Sequence, residues 1–184
     1  MKFTPQSITD VILIEPNVHG DERGYFVETY RQDLLEEVIG YQVNFVQDSE
    51  SRSAKGVLRG LHYQLPPYTQ AKLVRVIEGR VLDVAVDIRK GSSTFGRHIS
   101  ALLTSENKHE LFIPSGYAHG FIVLSDSAAF TYKVDNYYAP KHERGIAFDD
   151  ADLRIDWQLP LEELILSDKD KKYPNLSDAV DIFE

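Results

Sequence analysis

AKLVRVIEGRVLDVAVDI, residues 71–88, holds two apolar runs on either side of Glu78-Gly79. In the second run Leu82, Val84, Val86 and Ile88 alternate with Val81, Asp83, Ala85 and Asp87, the period-two pattern of a strand with two unlike faces. One face is expected to be core and the other to carry the carboxylates. Glu78-Gly79 reads as the tight turn of a hairpin. Segments of the same composition, rich in Val, Ile, Tyr and Phe, recur upstream as YFVETY (25–30), YQVNFVQ (41–47) and GVLRGLHYQ (56–64). Downstream they recur as HELFIP (109–114), AHGFIVL (118–124) and AAFTYKVDNYY (128–138). Eight or more closely spaced strands predict an all-β jelly-roll barrel. Helical pattern is sparse: Asp33–Ile39 is expected to form a short helix capped by Asp33, and Leu161–Leu166 another short piece.

The chain has 184 residues, 42% hydrophobic and 27% charged, which fits a single domain over 1–184 with one sizeable core. No repeat, low-complexity tract or Gly/Ser linker marks a boundary. The opening MKFTPQSITD lacks a basic stretch followed by an apolar run, and no long apolar stretch follows, so a soluble cytoplasmic protein is expected. With no cysteine, disulfides and thiolate chemistry are excluded. A net charge of -9 argues against nucleic acid and anionic membrane as partners, since the long-range field repels both. An anionic ligand would need a local basic cluster.

A small barrel offers a pocket to inward polar side chains. GVLRGLHYQ supplies Arg59 and His62, QAKLVRV supplies Lys72, and IPSGYAHGFIVL supplies His119. A cupin-type metal site would need two histidines one residue apart, a glutamate shortly after, and a distant histidine. His62 and His119 fit, but Gln64 stands at the second histidine position and Pro67, Tyr68 and Thr69 offer no carboxylate. Two imidazoles and a neutral amide hold a transition metal poorly, so no metal and no cofactor is expected. Arg59 and His62 differ in parity and would face opposite sides of a regular strand. Gly60 between them predicts a bulge that turns both toward one pocket; the alternative is a surface ion pair for Arg59 and simple close packing at Gly60.

Taken in order, GDERGYFVETY, FVQDS, GVLRGLHYQ, QAKLVRVIEGRVLDVAVDIRKGSSTFG, IPSGYAHGFIVLSD, YKVDNYYAP and LSDKD resemble the dTDP-4-dehydrorhamnose 3,5-epimerases of deoxysugar biosynthesis, over roughly residues 3 to 175. The resemblance implies a metal-free cupin-type jelly roll that inverts C3 and C5 of dTDP-4-dehydro-6-deoxy-D-glucose to give dTDP-4-dehydro-L-rhamnose. It implies His62 as the general base, Asp170 as the carboxylate orienting it, Tyr132 as the acid on the other face, and Lys72 as the cation near the C4 oxygen. His119 and Asp83 become supporting groups of the pocket.

The same resemblance implies phosphate contacts from Arg23 and Arg59, and nucleotide contacts from Glu28 and Gln47, Asp48 and Ser49. Phe26 and Tyr137 are expected as stacking faces for thymine, with Glu143 and Lys169 as further substrate contacts. It also implies a homodimer whose N-terminal segment crosses to the neighbouring barrel, so that Arg23, Phe26 and Glu28 would serve the partner's site. The chain departs from the family pattern after Gln47-Asp48, where asparagine and histidine are frequent and Ser49-Glu50 stands. Relatives that invert one carbon or isomerise the ketone share His62 and the barrel. A non-catalytic sugar-binding module would need the pocket without the proton carriers. The full set His62, Lys72, Tyr132 and Asp170 favours the double epimerase.

Overall fold

The computed structural model describes residues 1–183. Its strands are β1 (Lys2–Pro5), β2 (Ile12–Glu15), β3 (Val18–Asp21), β4 (Gly24–Val27), β5 (Gln47–Ala54), β6 (Leu58–Gln64) and β7 (Lys72–Glu78). They continue as β8 (Arg80–Asp87), β9 (His98–Thr104), β10 (Glu110–Ile113), β11 (Tyr117–Val123), β12 (Ser127–Val134) and β13 (Glu143–Gly145), with one helix, α1 (Gln32–Ile39). A six-stranded sheet, β1-β2-β10-β7-β12-β5, faces a five-stranded sheet, β13-β6-β11-β8-β9, while β3 and β4 pair only with each other. The result is the cupin-type jelly roll that the spacing of strand segments predicts.

The period-two reading of residues 81–88 assigns the faces of β8, with one difference. Val81 and Ala85 point between the sheets, where they pack with Val74, Val76, Leu111, Phe121 and Phe130. Leu82, Val84, Val86 and Ile88 are just as buried on the outer side, under Ile146, Leu153, Trp157 and Leu176 of the C-terminal segment. Both faces of β8 are therefore core, and Asp83 and Asp87 sit inside the barrel at 0% exposure. Each such apolar side chain contributes roughly 1.5–3 kcal/mol; each carboxylate has to be matched by donors. For Asp87, burial works against ionisation, but hydrogen bonds from Arg89, Ser92 and Thr94 prevail and hold its pKa at about 2.

Glu78-Gly79 is not a hairpin. Strands β7 and β8 lie in different sheets, and Gly79 is the corner where the chain crosses from one to the other. Its φ of 79° is open to glycine, and a Cβ there would come within 2.1 Å of the Ser127 carbonyl oxygen. A corner and a hairpin share the same turn residue, so local composition does not separate them.

The outer face of the six-stranded sheet is covered by α1 and the chain after it: Leu35 and Val43 pack on Ile12, Ile14, Leu73 and Phe112. Arg31, not Asp33, occupies the N-cap, and it makes no capping hydrogen bond. Asp33 lies in the first turn and is drawn to Arg31 at 2.6 Å, where an acidic side chain also suits the helix dipole. Only Leu161–Glu163 of the second expected helix is helical, as one 3-10 turn. Ile165 beyond it is extended and bridges to Val57.

Replacing Gly79 with alanine combines a strained φ with a backbone collision. It is expected to lower stability by about 2 kcal/mol or more, read as a shift in the denaturant midpoint at unchanged m-value. An unchanged midpoint would contradict the corner geometry.

Candidate active site

The space between the two sheets widens into a cavity of about 660 Å³. One wall is built on β6 and β11. Their register runs His119 against His62 and then Phe121 against Arg59, so β6 spends one residue more than β11 over this stretch. The bulge predicted at Gly60 is present. Gly60 has φ 138°, and a Cβ on it would lie 2.5 Å from Gly120 Cα, so the two strands approach closely only because both positions are glycine. As a consequence Leu58 and Leu61 enter the outer core, and Arg59 and His62 both line the cavity.

His62 Nε2 lies 2.6 Å from Asp170 Oδ1. The His62 side chain is 23% exposed and that of Asp170 only 4%, so the imidazole is open to the cavity while the carboxylate is sealed behind it. Burial opposes ionisation of Asp170, but the hydrogen bond and charge of His62, with the Ser167 hydroxyl, outweigh it and lower its pKa. An ionised carboxylate only accepts hydrogen bonds, so Nε2 carries a proton, and Nδ1 is the ring nitrogen with the free lone pair in the neutral form of the ring. Asp170 comes from a 3-10 turn, Asp170–Lys172, in the segment that covers the five-stranded sheet.

On the same wall His119 Nε2 contacts Asp83 at 2.9 and 3.1 Å. Burial drives both toward neutrality, lowering His119 and raising Asp83, against their mutual attraction. Lys72, at the first residue of β7, faces the same interior. Burial pulls its pKa down to about 8, opposed by Asp83 and Glu143.

The opposite wall belongs to the six-stranded sheet. Tyr132 on β12 packs beside Phe130, and Gln47, Ser49 and Ser51 of β5 line the same space. At the mouth Glu143 accepts hydrogen bonds from Tyr138, at 3.0 Å, and from Lys169, at 2.8 Å. Burial of Glu143 is outweighed by Lys169, His62 and Tyr138, and its pKa is lowered. Gln64 is committed to the loops around the mouth: its Nε2 donates to the carbonyls of Tyr68 and Tyr137, and its Oε1 accepts from the Ala139 N–H. Among the described residues no three His, Cys, Asp or Glu side chains group as metal ligands.

The structure thus gathers His62, Lys72, Tyr132, Asp170, Arg59, Gln47, Ser49, His119, Glu143 and Lys169 at one cavity, with Asp83 behind His119. Asp48 is not among them. It has the outward parity of β5 and pairs with Lys133 at 2.9 Å. Glu50 shares that parity and Ser49 does not, so of the two departures after Gln47-Asp48 only Ser49 lines the cavity. Tyr137 is 63% exposed and the cavity is lined by its neighbour Tyr138, since the chain has left the strand and parity no longer applies. Arg23, Phe26 and Glu28 lie on or just after the β3-β4 hairpin, exposed and away from this chain's cavity; Arg23 pairs with Asp21. Sequence reading also missed Ser51, which β5 parity would have found. Tyr138, Gln70 and Ser167 carry no signal short of the fold.

The model of the dTDP-4-dehydrorhamnose 3,5-epimerase family matches residues 5–178. The chain belongs to this family. A dTDP-4-dehydrorhamnose 3,5-epimerase of Shigella flexneri is 52% identical over 179 residues, covering 97% of this chain and 98% of the relative. The crystal structure of the enzyme of that name from Elizabethkingia anophelis superposes with a TM-score of 0.93 at 49% identity, covering 97% of each chain. A 3,5-epimerase of Legionella pneumophila, solved in complex with dTDP-4-keto-L-rhamnose, gives 0.92 at 48%, over 96% of this chain and 93% of the other. The protein is an isomerase of the 3,5-epimerase family, and the cavity is its active-site candidate.

The Lys72 ammonium is charged below about pH 8, so kcat/KM is expected to fall as pH rises through that value. Lys72→Arg keeps its charge and is expected to be slower but to lose this alkaline limb. A limb that stays in place in the variant would exclude Lys72 as its source.

Proposed function

We propose that this 3,5-epimerase inverts C3 and C5 of dTDP-4-dehydro-6-deoxy-D-glucose by proton removal on one side of the sugar and return on the other. The observation that carries the roles is the opposition of His62 and Tyr132. The imidazole, oriented by Asp170, stands on the five-stranded sheet and the phenol on the six-stranded sheet. A sugar between the sheets would meet a base on one face and an acid on the other.

His62 Nδ1 takes the proton from C3, next to the C4 ketone, and the electron pair moves into an enolate whose charge rests on the C4 oxygen. Lys72 stabilises that charge where it develops. Tyr132 then delivers a proton to the opposite face; once the imidazolium has released its proton to solvent water and the phenolate has regained one from it, the sequence repeats at C5. Asp170 stabilises the imidazolium while it exists. His119 and Asp83 support Lys72 from behind, and Glu143 and Lys169 contact the sugar at the mouth.

Arg59 faces the diphosphate, where a guanidinium fork suits phosphate oxygens, and Gln47 and Ser49 contact the nucleotide. Arg23, Phe26 and Glu28 act in the neighbouring barrel of a homodimer; what supports this is their exposed hairpin, with Phe26 66% exposed. The enzyme works as one domain in the cytoplasm; among the described residues no helix is long and apolar enough to cross a membrane.

The test is turnover of dTDP-4-dehydro-6-deoxy-D-glucose in deuterated water, followed at C3 and C5 by NMR. Inversion with deuterium at both carbons is expected; label at one carbon would make the protein a mono-epimerase. His62→Ala should lose on the order of 10³ in kcat at both positions. Tyr132→Phe should retain exchange at the carbon while losing inversion. Epimerisation by His62→Ala at a rate near wild type would refute the assignment of the base.

A further inference from the structure

The His62 imidazole is held at a second point. The 3-10 turn that carries Asp170 ends at Tyr173, and in such a turn residues three apart lie one above the other. Asp170 and Tyr173 therefore reach the same strand together. The carboxylate meets Nε2, and the Tyr173 ring stands against the imidazole in an edge arrangement, with centroids 5.6 Å apart and planes at 70°, a favoured aromatic geometry.

The Tyr173 ring also packs over Gly145, which is the β13 residue paired with His62. A Cβ at Gly145 would lie 2.5–2.6 Å from three ring carbons of Tyr173. Gly145 does not have a positive φ, so nothing in its own backbone requires glycine. The absent side chain makes room for the ring. Just beyond, the Ala147 N–H donates to the Pro174 carbonyl at 2.8 Å and the Leu176 N–H to Asp150 at 2.7 Å, fixing the downstream end of the turn.

We propose that Tyr173 is a positioning residue of the epimerase, its ring seated in the space left by Gly145 and braced against His62, so that it sets the angle of the imidazole and the reach of Asp170. The proposal rests on His62 being the general base. Tyr173 itself exchanges no proton with the sugar. The ring acts through its shape, and a displacement of the 170–173 turn by about 1 Å is enough to cost on the order of 10² in rate.

The test compares Tyr173→Ala, Tyr173→Phe, Gly145→Ala and the double variant Gly145→Ala/Tyr173→Ala in the same solvent-deuterium assay. Tyr173→Ala and Gly145→Ala should each lower kcat by about 10- to 100-fold with little change in KM. Their pH profiles should change in the same direction as that of Asp170→Asn. Tyr173→Phe, which keeps the ring, should restore the rate. The double variant should be no slower than either single one, because both remove the same contact. Independently of turnover, the hydrogen-bonded Nε2 proton of His62 should exchange faster with water in Tyr173→Ala, in protein whose thermal transition shows it folded.

Wild-type rates in both single variants, or a Tyr173→Phe variant as slow as Tyr173→Ala, would overturn the positioning role of Tyr173. Failure of the wild-type protein to exchange deuterium would instead overturn the epimerase mechanism beneath it. Full activity of His62→Ala would do the same.

Discussion

A 2.6 Å hydrogen bond between His62 and Asp170 joins the middle of the barrel to a turn 108 residues later, and the arrangement of both regions serves it. On the barrel side, β6 carries an extra residue at Gly60 so that His62 and Arg59 face the cavity together. On the other side, the C-terminal segment lies across the five-stranded sheet, buries Leu82, Val84, Val86 and Ile88, and brings a sealed carboxylate to the back of the imidazole. Apolar burial supplies the adhesion of this segment. The polar contact it delivers sets the tautomer, and the tautomer decides which nitrogen can act as a base.

The two-sheet architecture has a direct chemical consequence. The proposed inversion needs proton carriers on opposite faces of one carbon, and a sandwich with side chains projecting inward from both sheets can present such a pair. His62 and Tyr132 use the alternation of their strands in the same way as the apolar residues around them: Phe130 and Tyr132 share a face of β12, as Tyr117, His119 and Phe121 share a face of β11. The cavity occupies one end of the interior and the apolar core the rest. At the far end, Asp87 is closed in by Arg89, Ser92 and Thr94.

The fold class was legible in the strand rhythm, and the period-two alternation separated the two faces of β8. Parity together with one glycine even located the bulge at Gly60. What failed was information that the local chain does not contain. Gly79 as a corner and Gly79 as a hairpin turn need the same residue, and the choice is made by which sheet each strand joins. The resemblance implies a nucleotide contact from Asp48, although its parity on β5 turns it to Lys133. Asp170 sits in LSDKDKKYP, which by composition is a solvated loop; family resemblance, not pattern, identified it. Gly145 and Tyr173 gave no signal at all, since their contact exists only once β13 and the C-terminal turn are folded together.

For His62 to act as the base, Nδ1 has to be its free nitrogen. Nitrogen-15 NMR of protein labelled at histidine, at neutral pH and without substrate, reads this directly. The expected result is a His62 ring with its proton on Nε2 and an unprotonated Nδ1, and an Asp170→Asn variant in which that preference is weakened. A His62 ring protonated on Nδ1 in the wild-type protein would point the lone pair at Asp170 and away from the sugar, and would contradict the assignment of His62 as the base.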